Sequence, residues 1–268
     1  MKELFSLKNK VIFISGGSGY LGSYMVRFLA EQGAKVYVNG RSNKTVYLLV
    51  NKLLEDGLDA SAAVFDITSE KETQHFFSGF DSETIDVLIN NAHSGGGSGG
   101  VSGGTISTVM SEDYIHSYDV SVVSSHRLVK NALPFLLKAS RKNGGSSVIN
   151  IASMYGIISP DLSIYSSADN SNPPYYGAAK AALIQWTRYA ACEFANKGIR
   201  FNSISPGAFP GVEAQKNHVL MNNIRSKIPL NRIGDPKDLL GVIILLSSHL
   251  SSYITGSNIV IDGGWTAL

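Results

Sequence analysis

The sequence predicts an α/β fold: a Rossmann-like, doubly wound parallel sheet of about seven strands in a single domain over residues 1–268. Short runs rich in Val and Ile alternate with segments of helical periodicity along the whole chain. The first of these runs ends in a glycine cluster that opens a helix, the arrangement of a nucleotide-binding turn. Two segments break the rhythm, yet the alternation resumes after each, so neither reads as a linker between domains.

In chain order, Val11–Ile14, Lys35–Val38, Ala62–Phe65, Val87–Ile89, Val148–Ile151, Phe201–Ile204 and Ile259–Ile261 read as buried parallel strands. Helical periodicity predicts Leu21–Gln32, Val46–Glu55, Glu112–Lys138, Tyr176–Asn196 and Pro236–Leu246 between them. The two interruptions are Ser94–Gly104, a glycine and serine tract, and Ser159–Pro174, rich in Ser, Asp, Asn and Pro. Both follow the carboxyl ends of strands, where open α/β sheets bind ligands.

Composition narrows the partners. Lys and Arg number 23 against 21 acids, a net charge of +2 without a basic stripe, which argues against nucleic acid. No apolar run reaches the roughly 18 to 20 residues that cross a bilayer, and Leu239–Leu246 is too short. Met1–Lys10 lacks the apolar core of a signal peptide, so a cytoplasmic protein free of the membrane is expected. The only cysteine, Cys192, excludes a disulfide within the chain and is expected to be a buried, inert thiol. The histidines, His75, His93, His116, His126, His218 and His249, show no paired ligand spacing, so no metal site is expected.

The chemistry begins at Ser15-Gly16-Gly17-Ser18-Gly19-Tyr20-Leu21-Gly22. Glycines at 16, 19 and 22 permit a tight turn, close approach of a pyrophosphate and close packing of helix on strand. After the second strand, Gly40 stands where a fold that prefers NAD would place an acid, and Arg41 with Ser42 could pair with a 2′-phosphate. NADP is therefore the favoured cofactor, with NAD as the alternative. Tyr176 and Lys180 are four residues apart at the start of a long helix, hence on one face. A phenol that titrates near 10 needs a neighbouring positive charge to act as a base at neutral pH.

With Asn90-Asn91-Ala92 after the fourth strand, Asn150-Ile151-Ala152-Ser153 at the fifth and Pro206-Gly207 after the sixth, the chain resembles the short-chain dehydrogenase/reductase family over nearly its whole length. Arg232-Ile233-Gly234 with Pro236, and the tail from Tyr253-Ile254-Thr255-Gly256 to Asp262-Gly263-Gly264, are similar to that family's carboxyl-terminal half. The resemblance implies that Tyr176 is the acid/base, that Ser153 bonds the substrate oxygen, and that Lys180 holds the nicotinamide ribose and lowers the tyrosine pKa. It also implies an adenine contact at Asp66-Ile67, cofactor contacts along Asn91 and Ala92, and a nicotinamide border at Pro206-Gly207.

The chain departs from the family pattern at four points. The glycine spacing is closer to the extended branch that contains nucleotide-sugar epimerases. His93 replaces the usual glycine and is expected along the cofactor; Ser121 stands where the relay asparagine of the fourth helix is expected. Ser153 and Tyr176 are 23 residues apart, a longer interval than the family commonly shows. That insertion resembles a subgroup of bacterial oxidoreductases of surface-sugar and nonulosonic-acid pathways, and its hydroxyl and amide side chains suit a polar, sugar-like substrate.

The expected reaction is hydride transfer between the nicotinamide and a carbonyl/secondary alcohol pair in a small molecule. The alternatives are a nucleotide-sugar epimerase or dehydratase that keeps its cofactor, and a dinucleotide-binding regulatory protein without catalysis. A homo-oligomer, with a tetramer favoured, is expected from the resemblance and from Leu183, Ile184, Trp186, Thr187, Ala190, Ala191 and Phe194, which spread beyond one core-facing stripe.

Overall fold

The computed structural model describes residues 5–93 and 103–268; most of the glycine-rich tract lies outside them. The strands are β1 (Val11–Ser15), β2 (Lys35–Gly40), β3 (Ala60–Val64), β4 (Val87–Asn90), β5 (Ser146–Ile151), β6 (Ile199–Pro206) and β7 (Asn258–Ile261). They form one sheet in the order β3-β2-β1-β4-β5-β6-β7, and every pairing is parallel. The order reverses direction between β1 and β4, which opens a crevice at their carboxyl ends.

The helices are α1 (Tyr20–Glu31), α2 (Asn43–Glu55), α3 (Glu70–Ser78), α4 (Ser111–Tyr118), α5 (Ser124–Asn143), α6 (Pro174–Phe194), α7 (Val212–Gln215), α8 (His218–Lys227) and α9 (Leu240–Ser247). Met25 and Leu29 of α1, Leu53 of α2 and Ile243 of α9 bury one face of the sheet, against Ile14 and Val36. Phe77 of α3, Leu128 and Ala132 of α5 and Phe194 of α6 bury the other, around Phe13 and Phe201. Burial on both faces explains why the strands read as continuous apolar runs.

Three expectations need correction. The helix expected over Glu112–Lys138 is α4 and α5, separated by a π-helical turn at Asp119–Val123. The turn is held by Ser125 Oγ, which donates to the Ser121 carbonyl (2.7 Å), and by Arg127, paired with Asp119 at 3.5 Å. Such turns carry an extra residue that period-counting along a sequence does not register. Second, Cys192 is exposed: Thr187, Ala190, Ala191 and Phe194 take the inward positions of α6, and the thiol falls on the outer side. Third, the additional apolar residues of α6 are covered within the chain. Ile184 meets Gly156, Ala191 meets Gly256, and Trp186 packs edge-on against Phe201, so they are not a free second face.

Candidate active site

A cleft of about 610 Å³ follows the carboxyl ends of the strands from Arg41 at one end to Trp265 at the other. All of the site residues expected from the sequence line it except Ser121, which is buried in the π-helical turn beside the cleft residue Val120.

The glycine turn is shaped by contacts that only glycine permits. Gly16 has φ +62° and a Cβ there would stand 2.8 Å from Ala92 Cα; one on Gly22 would collide with the Gly16 carbonyl. The end of β4 clamps the same turn. Ser15 Oγ accepts from the Asn91 and Ala92 amides (3.0 and 3.2 Å), and Asn91 Nδ2 donates to the carbonyls of Ser15 and Gly16 (3.1 and 3.0 Å). At the start of α1 no side chain caps Gly19 and no acid occupies the first turn, so the positive end of the helix dipole is left for an anion. These features fit the pyrophosphate of a dinucleotide.

At the far end of the cleft the missing acid has a steric reason. A Cβ on Gly40 would stand 2.8 Å from both Ser18 Oγ and Val46 Cγ2, so a carboxylate at this position has no room. Arg41 is 76% exposed with its guanidinium 3.8 Å from the Asp66 carboxylate. Ser42 caps α2 by accepting from the Thr45 amide at 3.3 Å, and Thr45 Oγ1 lies 3.4 Å from Ser18 Oγ. Asp66 is fixed in turn by the amide and hydroxyl of Thr68 (2.9 and 2.8 Å). One exposed cation among hydroxyls suits a phosphate monoester.

At the opposite end, Ser153 lies two residues past β5 while Tyr176 and Lys180 occupy the first turns of α6, which Pro174 opens at N1. Close approach of the helix depends on Gly177, where a Cβ would stand 2.6 Å from the Tyr155 carbonyl. Lys180 is fully buried; its Nζ donates to the Ile151 carbonyl (2.8 Å) and lies 5.7 Å from the centre of the Tyr176 ring. Burial pulls this ammonium down to about 8. Burial pushes the Tyr176 phenol above 10, and a hydrogen bond with Ser153 offsets only part of that rise. The expectation that Lys180 lowers the tyrosine is therefore corrected: desolvation outweighs any help from an ammonium that is engaged with a carbonyl. Tyr176 is protonated at neutral pH and placed to donate. His93 opens into the cleft, yet desolvation by the surrounding protein, and then the Lys180 charge, draw its imidazole down to about 4. It is neutral at pH 7.

The site is held by bonds that the sequence did not reveal, although Asn90 and Asn150 stand in the motifs it offered. Asn90 Nδ2 donates to Asn150 Oδ1 (2.7 Å), Asn150 Nδ2 to Thr187 Oγ1 (2.8 Å), and Thr187 Oγ1 to the Leu183 carbonyl (2.7 Å). This buried chain ties β4 and β5 to the helix that carries Tyr176 and Lys180. Arg127 bonds the Ile67 carbonyl (2.7 Å) and Glu70 (2.9 Å), joining the floor of the cleft to the π-helical turn.

The insertion between Ser153 and Tyr176 forms the outer wall. Its Met154 and Ile164 share a small core with Met221, Ile224 and Ile228, on and just after α8, and with Trp265. Asn223 Nδ2 donates to the Ile164 carbonyl (2.9 Å), and Lys227 pairs with Asp161 at 2.7 Å. The described end of the glycine tract is fastened to it as well: the Gly104 amide donates to the Ser171 carbonyl (3.3 Å), and a Cβ on Gly103 would stand 2.6 Å from the backbone at 169–171. Trp265, Phe209 and Leu220 also line the cleft, though none of the three belongs to a motif itself.

Comparison with known proteins supplies the family. Residues 20–266 match the model of a family described as enoyl-(acyl carrier protein) reductase. The chain is 30% identical to the 7alpha-hydroxysteroid dehydrogenase of Bacteroides fragilis, with 97% of this chain and 95% of that protein covered. It is also 30% identical to the 3-oxoacyl-[acyl-carrier-protein] reductase of Chlamydia pneumoniae, over 97% of this chain and 98% of that one. Among solved structures, the NADP active-site complex of Pseudomonas aeruginosa RhlG superposes with a TM-score of 0.87 at 27% identity, covering 99% of both chains. A short chain dehydrogenase of Leptospira borgpetersenii with bound NAD+ superposes at 0.80 and 29% identity, covering 97% of this chain and 93% of that one. With the glycine turn, the strand order and these matches in agreement, the chain belongs to the short-chain dehydrogenase/reductase family of nicotinamide-dependent oxidoreductases.

Proposed function

We propose that this protein is an NADPH-dependent reductase that converts the carbonyl of a polar, sugar-like small molecule to a secondary alcohol. The observation that carries the reading is the meeting of Ser153, Tyr176 and Lys180 at one end of a cleft whose other end is a glycine turn and an exposed arginine. A nicotinamide bound there supplies the hydride. Tyr176 Oη gives its proton to the carbonyl oxygen, and the Ser153 hydroxyl donates a hydrogen bond that stabilises the charge developing on that oxygen. Lys180 orients the ribose and lends positive charge to the phenol as the proton leaves. Pro206 and Gly207 border the nicotinamide, and His93, Asn91 and Ala92 lie along it. Ser121 stays behind the cleft wall, with its backbone carbonyl accepting from Ser125 Oγ, and has no part in the proposed proton transfer.

NADP is preferred over NAD because Gly40 leaves no room for an acid and Arg41, Ser42 and Thr45 surround the place of a 2′-phosphate. Tyr176, protonated at neutral pH, is set to act as the acid that reduction requires. The test is a panel of carbonyl compounds screened by loss of reduced cofactor, with NADPH and NADH in parallel. NADPH oxidation by a polar ketone supports the reading; binding of neither dinucleotide would overturn it.

The same proposal includes a homotetramer working in the cytoplasm. Ile115 and Tyr118 on α4, Tyr189 on α6 and Leu268 in the tail are exposed apolar groups on faces that a second copy can cover. An exposed cysteine suits a reducing compartment, and among the described residues no helix is long and apolar enough to cross a membrane. Light scattering tests the assembly: a mass near 28.7 kDa contradicts it and a mass near four times that supports it.

A further inference from the structure

We propose that the compound reduced at this site is uncharged and two-faced: a neutral hydroxylated ketone, carrying no phosphate, carboxylate or nucleotide. This rests on the reductase reading and narrows it.

The first observation is the distribution of charge. Among the described residues that line the cleft, Lys180, Arg41 and Asp66 are the only Lys, Arg, Asp or Glu side chains. Arg41 and Asp66 stand at the far, adenine end. Lys180 is fully buried and donates to the Ile151 carbonyl. Of the cations on the segments that build the substrate end, Lys227 pairs with Asp161 at 2.7 Å, Arg232 makes two bonds to Asp238 (2.6 and 3.0 Å) and Lys216 pairs with Glu213 at 2.7 Å, while Arg225 bonds Asn222 Oδ1 (3.0 Å) and is not among the residues that line the cleft. His93 and His116 also line the cleft, but an anion enclosed here would lose its water without gaining a Lys or Arg counter-ion, and that penalty exceeds what neutral hydrogen bonds return.

The second observation is the contrast between the two walls. Phe209, Leu220, Met221, Ile224 and Trp265 make one wall apolar. From the insertion, Met154 adds to this apolar surface, Tyr155 and Tyr165 pack on the same cluster with hydroxyls that bond without bearing charge, and Asn170 and Asn172 complete the neutral polar part of the lining. The Tyr155 and Tyr165 hydroxyls stand 3.5 Å apart, and burial pushes the Tyr155 phenol far up, so it stays protonated throughout the working range. His93, drawn down to about 4, is neutral there too. A ring or chain with a hydrocarbon face and a hydroxylated edge satisfies both walls at once. A nucleotide sugar does not, which separates this reading from that of an epimerase acting on a diphosphate-linked sugar.

The test is a matched set of ketones reduced by the whole protein with NADPH: 4-hydroxycyclohexanone, its phosphate ester, and 4-oxocyclohexanecarboxylate. The neutral compound should have a kcat/KM at least about 100-fold above either anion, in line with the discrimination of a site whose groups are left unpaired by the wrong ligand. The Leu220→Arg variant, with a cation placed on the apolar wall and NADPH binding used to verify its fold, should raise the ratio of phosphate ester to neutral ketone by about 10-fold. Equal or better use of an anion by the parent protein overturns the substrate class and leaves the reductase reading standing. NADPH that binds but is oxidised by none of the three, nor by a wider ketone panel, overturns the reductase reading itself.

Discussion

Along the cofactor half of the cleft, the residues that shape the walls are close together in sequence. Gly16, Gly19 and Gly22 lie on one turn, Arg41 and Ser42 follow one strand, and Asn91 follows another. The substrate half is assembled from the insertion 154–172, the segment 209–224 and Trp265, joined by a small core and by contacts such as Asn223 with Ile164 and Lys227 with Asp161. A backbone turn demands particular residues at fixed spacing, so it leaves a motif. A wall made of distant side chains demands only complementary shape, and leaves none.

If the halves are separable in this way, variants should divide cleanly between them. The largest effect is expected from Tyr176→Phe, which removes the proton donor alone: kcat should fall about 10³-fold while NADPH affinity stays within about twofold. Activity within tenfold of the parent would deny Tyr176 its role. Gly22→Ala and Gly103→Ala form the next contrast, because each sets a Cβ against backbone on a different side of the cleft. The first should weaken NADPH binding about 100-fold; the second should spare it and raise KM for the ketone about 10-fold. Titration of cofactor fluorescence beside steady-state kinetics reads both, and a loss of cofactor affinity in the Gly103 variant would break the division.

Arg41→Ala probes the far end of the cofactor half. A charged hydrogen bond to a 2′-phosphate is worth about 1.5 to 3 kcal/mol, so the parent should prefer NADPH by about 10- to 150-fold and the variant should lose that preference. Equal affinities in the parent would place the arginine in solvent.

The smallest effect concerns pH. Lys180 titrates near 8 in the fold against 10.5 when exposed, so between those values the unfolded chain holds the extra proton. Stability should therefore rise with pH from about 8 to about 10, where Tyr176 begins to oppose it, and Lys180→Met should flatten the rise. In the same range kcat/KM for reduction should decline as the ammonium loses its charge. A profile that is flat to pH 10 would remove Lys180 from the mechanism.

All seven strands and the helices α1, α2, α5, α6 and α9 were legible in the sequence, since burial on both sheet faces and 3.6-residue periodicity are local signals, whereas α8 was not expected. The π-helical turn at Asp119–Val123 was not, because its hydrogen bonds depend on Ser125 and Arg127 rather than on an apolar pattern. α3 carries only Thr73 and Phe77 inward, too thin a stripe to register, although Ser69 with Glu72 gave a capping signal that could have revealed it. At the site, Ser153, Tyr176 and Lys180 followed from spacing and resemblance. Asn150, Thr187 and Arg127 are single polar residues inside regular elements, and only the fold shows that they hold the cleft together. The low phenol pKa expected from a lysine four residues away failed because spacing records proximity, while burial and the Ile151 carbonyl set the charge balance.

The central claim is net hydride transfer from cofactor to carbonyl, and it is tested most directly with NADPH deuterated at the transferable position of its nicotinamide. Mass spectrometry of the alcohol formed from 4-hydroxycyclohexanone should show one deuterium on the former carbonyl carbon, with one NADPH consumed per product and none with Tyr176→Phe. Product without deuterium, or substrate changed while the NADPH concentration stays constant, would contradict the account.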